Sequence, residues 1–147
     1  MIKGSCACGR VQYQTQSQPR TVTACHCGTC QKAGGPFLAF AGFPTSELQW
    51  IHQPDLWARS DFADRGYCKV CGSSVSMRYY VEDITYVTLG TIEPGTALPR
   101  IGAHIFLKEK APWVVLPDDG AERWDGFGPG FEKELAQWRR QRLRPKL

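Results

Sequence analysis

Residues 25–30 read Cys25-His26-Cys27-Gly28-Thr29-Cys30 and place three cysteines within six positions. Two further groups flank them, Cys6-Ala7-Cys8-Gly9 near the N-terminus and Cys68-Lys69-Val70-Cys71-Gly72 later in the chain. Cysteines separated by one or two residues can set two sulfurs a tetrahedral edge apart, whereas a disulfide closed within C-x-C is strained by its short loop. Glycine after Cys8, Cys27 and Cys71 suits a knuckle that turns sharply and aims backbone N–H groups at thiolates. Buried free cysteines would not cluster in this way, and seven is an odd number for a disulfide framework. The pattern predicts zinc.

The grouping then separates two kinds of site. Cys6, Cys8, Cys68 and Cys71 make a closed four-thiolate set, the kind that holds a small domain together and whose metal affinity is folding free energy. Cys25, Cys27 and Cys30 supply only three ligands. Three protein ligands with an open fourth position are the mark of a reactive site. The alternatives at this stage are a fourth ligand from His26 or His104, one cysteine left unligated, or a redox-sensing thiolate cluster.

Working outward, the chain of 147 residues is 42% apolar and has 17 aromatic residues, which suits one globular domain rather than two. The longest uncharged stretch, 33–46, is broken by Gly34, Gly35, Pro36, Gly42 and Pro44, too short and interrupted to span a bilayer. The start, MIKGSC, shows no apolar signal core, so a reducing cytoplasmic setting is expected. The formal charge of +4 comes from the C-terminus, where Arg139, Arg140, Arg142, Arg144 and Lys146 crowd the last nine residues. The other 13 basic residues are one fewer than the 14 acidic ones. Seven zinc-bound thiolates and two ions would lower the total to about +1. This distribution, with no helix-turn-helix pattern and no aromatic-rich basic face, gives no support to nucleic-acid binding.

Short alternating runs bounded by Gly, Pro, Asp or Ser predict strands over 11–15, 21–24, 37–43, 48–52, 57–62, 74–79, 85–89 and 104–107. Phe131, Leu135 and Trp138 recur at helical spacing after Gly128-Pro129-Gly130 and predict one amphipathic C-terminal helix. The fold class is therefore mainly β. Residues 1–127 form the zinc-binding β domain, and 128–147 add a helix and basic tail packed on it or extending it.

With those residues in view, the chain resembles the glutathione-dependent formaldehyde-activating enzymes and their centromere-protein-V-like relatives. The likeness rests on CACGRVQY at 6–13, CHCGTCQKAGGPF at 25–37, YCKVCGSSV at 67–75, VTLGTIE at 87–93 and HIFLKEKAPW at 104–113. It implies a folded antiparallel β-sheet zinc domain of tent-like, Mss4-like form. It further implies a structural zinc on Cys6, Cys8, Cys68 and Cys71 and a catalytic, labile zinc on Cys25, Cys27 and Cys30. The implied activity is that of a carbon–sulfur lyase joining glutathione, or a similar small thiol, to formaldehyde or another small aldehyde, or cleaving the adduct. The competing reading is a non-catalytic zinc module that binds a protein or nucleic acid.

Thiol chemistry needs a proton donor and groups to hold the substrate. His26, inside the ligand loop, and His104, opening the HIF run, are the candidates for the donor, although a lone strand histidine is more often a hydrogen-bonded core residue. His52 reads as surface. Lys32 and Arg59, with Arg78 and Lys108 behind them, are the cations available for the carboxylates of glutathione. Phe37 and Phe40 are placed to wall an apolar pocket. Trp50, Trp57, Trp113 and Trp124 read as core or rim packing.

Overall fold

A computed structural model describes residues 1–142; Arg144 and Lys146 of the basic tail lie outside them. In chain order the strands are β1 (Ile2–Ser5), β2 (Gln12–Thr15), β3 (Thr21–Cys25), β4 (Leu38–Pro44), β5 (Gln49–His52), β6 (Asp55–Ser60), β7 (Ala63–Tyr67), β8 (Ser74–Tyr79), β9 (Ile84–Thr88), β10 (Ala103–Ile105) and β11 (Glu122–Arg123). Helix α1 (Gly28–Gly34) follows β3, and α2 (Pro129–Arg142) ends the described chain. A three-stranded sheet has the order β1-β2-β5, and an eight-stranded sheet the order β11-β10-β3-β4-β9-β8-β7-β6. The protein is mainly β, as the alternation predicts.

Pairing is antiparallel except at one edge, where β10 lies parallel to β3 and β11 parallel to β10. Parallel neighbours require long crossovers. Here residues 26–102, which include β4 to β9, separate β3 from β10, and residues 106–121 carry the chain on to β11. Alternation in β3 sends Thr21, Thr23 and Cys25 to one face, and Val22, an inward residue of the first core, to the other.

Two apolar cores result, and each contains buried cysteines of one group. The first joins Val11, Tyr13, Phe43 and Val87 with the buried Cys6 and Cys68. Tyr13 is edge-on to Trp50 at 5.4 Å, and its hydroxyl lies 2.8 Å from Thr91 Oγ1, so its polar tip is satisfied inside the core. Burial of each such side chain stabilises the fold by about 1.5–3 kcal/mol. The second core gathers Cys25, Cys30, Phe40, Met77 and Tyr79, with Phe127 and Phe131 against it. Helix α2 closes that side through the buried Leu135, the Arg139–Asp61 ion pair and the Arg139 guanidinium 5.0 Å over Phe62.

Local differences from the sequence reading have plain causes. Gly9 and Gly72 adopt left-handed backbone at φ 76° and 75°, so the knuckles after Cys8 and Cys71 turn as expected. Gly28 does not. It begins α1, an additional short helix that Cys27 caps by accepting the Cys30 N–H at 3.4 Å. Among the tryptophans, Trp57 and Trp113 are exposed, at 50% and 77%, rather than packed.

Candidate metal centres

The first cluster is built by two similar turns. Cys6 and Cys68 each receive a glycine or neighbouring N–H on their carbonyl, with Gly9 N–H donating to Cys6 and Gly72 N–H to Cys68, so both turns close just past their cysteine pair. They meet sulfur to sulfur. Cys8 Sγ lies 3.6 Å from Cys6 Sγ and 3.7 Å from Cys68 Sγ, and all four sulfurs fall within 4.8 Å of one another. Zn–S bonds of about 2.3 Å in a tetrahedron put sulfurs about 3.8 Å apart, so the donor set fits that ion. Backbone and side chains attend the sulfurs: Val11 N–H donates to Cys6 at 3.2 Å, Arg10 Nε to Cys68 at 3.4 Å, and Ser73 Oγ lies 3.2 Å from Cys71 Sγ. The Ser73 contact is the main reason the Cys71 thiol is lowered to about 5. Arg10 is held in turn by an ion pair with Asp55, whose carboxyl is lowered first by the Lys69 N–H and then by Arg10. Such outer partners orient ligands.

The second cluster is Cys25 at the end of β3, Cys27 at the cap of α1 and Cys30 one turn into it, again with sulfurs within 4.8 Å. Hydrogen bonds from the Cys25 and Cys30 thiols, and from the Cys30 and Thr29 N–H groups, lower Cys27 to about 2. The Cys25 and Cys27 sulfurs push Cys30 up, and the Cys27 contact raises Cys25 to about 12. One negative charge pressed among three adjoining sulfurs is an arrangement that a thiophilic cation relieves. The two groups can each hold a metal.

The second cluster faces a space suited to a substrate. A cavity of about 350 Å³ is lined by Cys25, Cys27 and Cys30 on one side and by Arg59 and Arg65 on another. Tyr79 and Met77 form its floor with Phe127. Tyr79 is 7% exposed, and burial above all raises its phenol well above the ordinary value. The phenol therefore keeps its proton across the ordinary pH range. Glu109 closes the rim, accepting the Gly28 N–H at 2.7 Å, while Gln31 Nε2 donates to the carbonyls of His26 and Glu109, both at 2.7 Å.

The residues singled out from sequence fall unevenly around this space. Arg59 lines it, and its Nε donates to Thr29 Oγ1 at 3.3 Å. Lys32 does not; it lines a separate depression beside Trp57, Tyr67 and Arg65. Arg78, between Met77 and Tyr79 on β8, is exposed on the opposite side of its strand, and Lys108 is exposed in the turn after β10. Phe40 walls the adjoining space, whereas Phe37 packs on the His26 ring at 4.9 Å. His52 is exposed.

Neither His26 nor His104 lines the cavity. Ala103 and Ile105 point to the side of Cys25, so His104 between them points away. The pair instead forms a buried chain: His26 Nε2 is 3.0 Å from His104 Nδ1, and His104 Nε2 is 2.9 Å from Asp119 Oδ2. Asp119 accepts only, which assigns the proton to His104 Nε2 and makes His104 Nδ1 the acceptor for His26 Nε2–H. His26 Nδ1 is then an unpaired acceptor, consistent with its being a buried atom without a partner. Burial lowers His26 in the first place, with the nearby His104 adding to it, so the ring is neutral.

Arg65, Tyr79, Glu109 and Asp119 were not identifiable from the sequence. Arg65 stands opposite Trp57 across the β6–β7 ladder, a placement that exists only once β7 has formed.

Against known proteins, the model of the glutathione-dependent formaldehyde-activating enzyme family matches residues 1–109. An uncharacterized lyase of Schizosaccharomyces pombe is 28% identical over 78 residues, 52% of this chain and 57% of the relative. The chain thus spans a little over half the length of that relative. A Rhodobacter sphaeroides protein of known crystal structure shares the fold at 19% identity and a TM-score of 0.55, with 83% of this chain and 98% of the other covered. Among the described residues no helix is long and apolar enough to cross a membrane. Since the family match takes in both cysteine clusters and most of the two sheets, the chain belongs to the glutathione-dependent formaldehyde-activating enzyme family.

Proposed function

We propose that the protein is a zinc-dependent carbon–sulfur lyase that adds a small thiol, with glutathione the leading candidate, to a small aldehyde, or cleaves the adduct. One observation carries the reading: three clustered cysteines border a cavity that also holds two arginines and a buried phenol. Cys6, Cys8, Cys68 and Cys71 would hold a structural zinc, and Cys25, Cys27 and Cys30 a catalytic one. Bound by three thiolates, the catalytic ion would supply acidification of a substrate thiol while leaving its sulfur nucleophilic.

The chain's own groups do the rest. Arg59 and Arg65 pair with the carboxylates of the thiol and set its sulfur towards the cysteines. Met77 and Phe127 exclude water from that floor. As the S–C bond forms and the carbonyl π bond breaks, the thiol proton leaves to solvent and the Tyr79 hydroxyl donates a proton to the carbonyl oxygen. Tyr79 is then reprotonated from solvent. His26 and His104 are positioning residues in this account: with Asp119 they fix the backbone between Cys25 and Cys27 from the far side of the sheet.

Exchange spectroscopy on formaldehyde and glutathione tests this directly. The zinc-loaded protein should speed their equilibration above the spontaneous rate, and Cys30→Ser should abolish the gain. A rate equal to the spontaneous one would overturn the reading for this thiol and aldehyde.

A further inference from the structure

Beside the cysteine cavity lies a second chamber of about 240 Å³, whose lining shares Cys25, Met77, Tyr79 and Phe127 with it. Its character is different. Phe40, Tyr86, Ile105 and Phe131 make most of its wall apolar; Thr21, Thr23 and Glu122 also line it, with no arginine or lysine. A one-carbon carbonyl is little larger than a water molecule, whose share of liquid volume is about 30 Å³, and would leave this chamber unfilled.

Much of the wall comes from outside the family match. Residues 1–109 are matched, whereas Trp124, Phe127, Gly128 and Phe131 close the chamber from the C-terminal segment. That segment is firmly anchored. Trp124 N–H donates to the His104 carbonyl at 2.9 Å, Leu107 N–H to that of Trp124 at 3.0 Å, and Phe106 N–H to that of Gly126 at 3.1 Å. Phe131 lies 4.7 Å from the Tyr79 ring and 4.5 Å from that of Phe127, so the wall is formed before any ligand arrives.

We infer that this chamber receives the apolar substituent of the aldehyde, and that the substrate class is aldehydes carrying an aliphatic chain or an aromatic ring. The inference rests on the thiol–aldehyde reading above. It places the thiol's carboxylates in the arginine lobe, the reacting carbon at the shared Cys25–Tyr79 wall and the substituent against Phe40 and Phe131. The reaction is RSH + R′CHO giving RS–CH(OH)R′: the S–C bond forms, the carbonyl π bond breaks, and one proton moves in net from sulfur to oxygen.

Inert thioethers of the same shape provide the test. Calorimetric titration of the zinc-loaded protein should show S-hexylglutathione binding at least tenfold more tightly than S-methylglutathione, since each buried methylene is worth roughly fourfold in affinity. Nuclear Overhauser contacts should join the hexyl protons to Phe131 and Met77. Phe131→Trp, which fills the chamber, should cut the preference to below about threefold, and Ala103→Leu should do so from the opposite wall if the first variant proves unstable. Equal affinity for the two thioethers would overturn the inference while leaving the thiol site intact. Failure of both to bind would overturn the thiol reading and the inference with it.

Discussion

Cys30 and Cys71 differ in what surrounds them, and that difference sets the expected effect of losing each. Cys71 completes a four-sulfur set spanning two turns far apart in sequence, whereas Cys30 sits one helical turn from Cys27 beside a cavity. Cys71→Ser is expected to unfold the domain, because a structural metal is part of the folding free energy. Cys30→Ser is expected to melt within a few degrees of the parent and to lose activity. Circular dichroism melts with a parallel assay check both, and equal unfolding of the two variants would contradict the division. Tyr79→Phe should lower kcat by about 100-fold or more with KM for the thiol little changed. An unaltered kcat would remove Tyr79 from the proton path. All seven cysteines were legible as two clusters able to hold a metal, because such spacing is local. Tyr79 and Arg65 were not, because nothing local distinguishes a phenol or guanidinium facing a cavity from one facing solvent. The orientation of His104 was hidden for the same reason: it stands beside Ala103 and Ile105 in sequence, yet strand alternation turns it away from the side that they face.

Strands that alternate β-branched or aromatic residues with polar ones were legible almost to their ends, as in β3, β8 and β9. β7 was not. Its sequence, Ala63-Asp64-Arg65-Gly66-Tyr67, lacks β-branched residues, and Gly66 stands where a Cβ would collide with Ser76 Oγ and the Pro54 ring. Tertiary closeness outweighs propensity there. β11 has two residues and exists only because β10 is beside it. Helix α2 was legible from its spacing, and its docking gives a prediction with a definite sign in pH. The Arg139 guanidinium hydrogen-bonds Asp61 and holds its carboxyl below the usual range. A carboxyl so lowered contributes in full above the ordinary value of about 3.9, and the contribution is lost as pH falls through the lowered value. Because the pair is exposed, at 46% and 59%, the effect is small and salt-sensitive. Amide exchange over residues 131–139 should therefore quicken in Asp61→Asn at neutral pH, resembling the parent at the acid end. Unchanged exchange would show that Leu135 and Trp138 hold the helix unaided.

For the molecule as a whole, the two cores divide the work. The first encloses Cys6 and Cys68 and ties the N-terminal turn to the turn between β7 and β8, while the second leaves Cys25 and Cys30 beside an open cavity. A metal drawn from the first should take the fold with it, and one drawn from the second should not. Under the proposed function, the same division would account for an odd number of cysteines without a stray thiol. Zinc counting on the purified protein tests it most directly. The parent should hold two ions per chain, with mild chelation removing one while the circular dichroism spectrum stays folded, and Cys27→Ser should hold one that resists the same treatment. A single tightly held ion in the parent, unchanged by Cys27→Ser, would contradict the account.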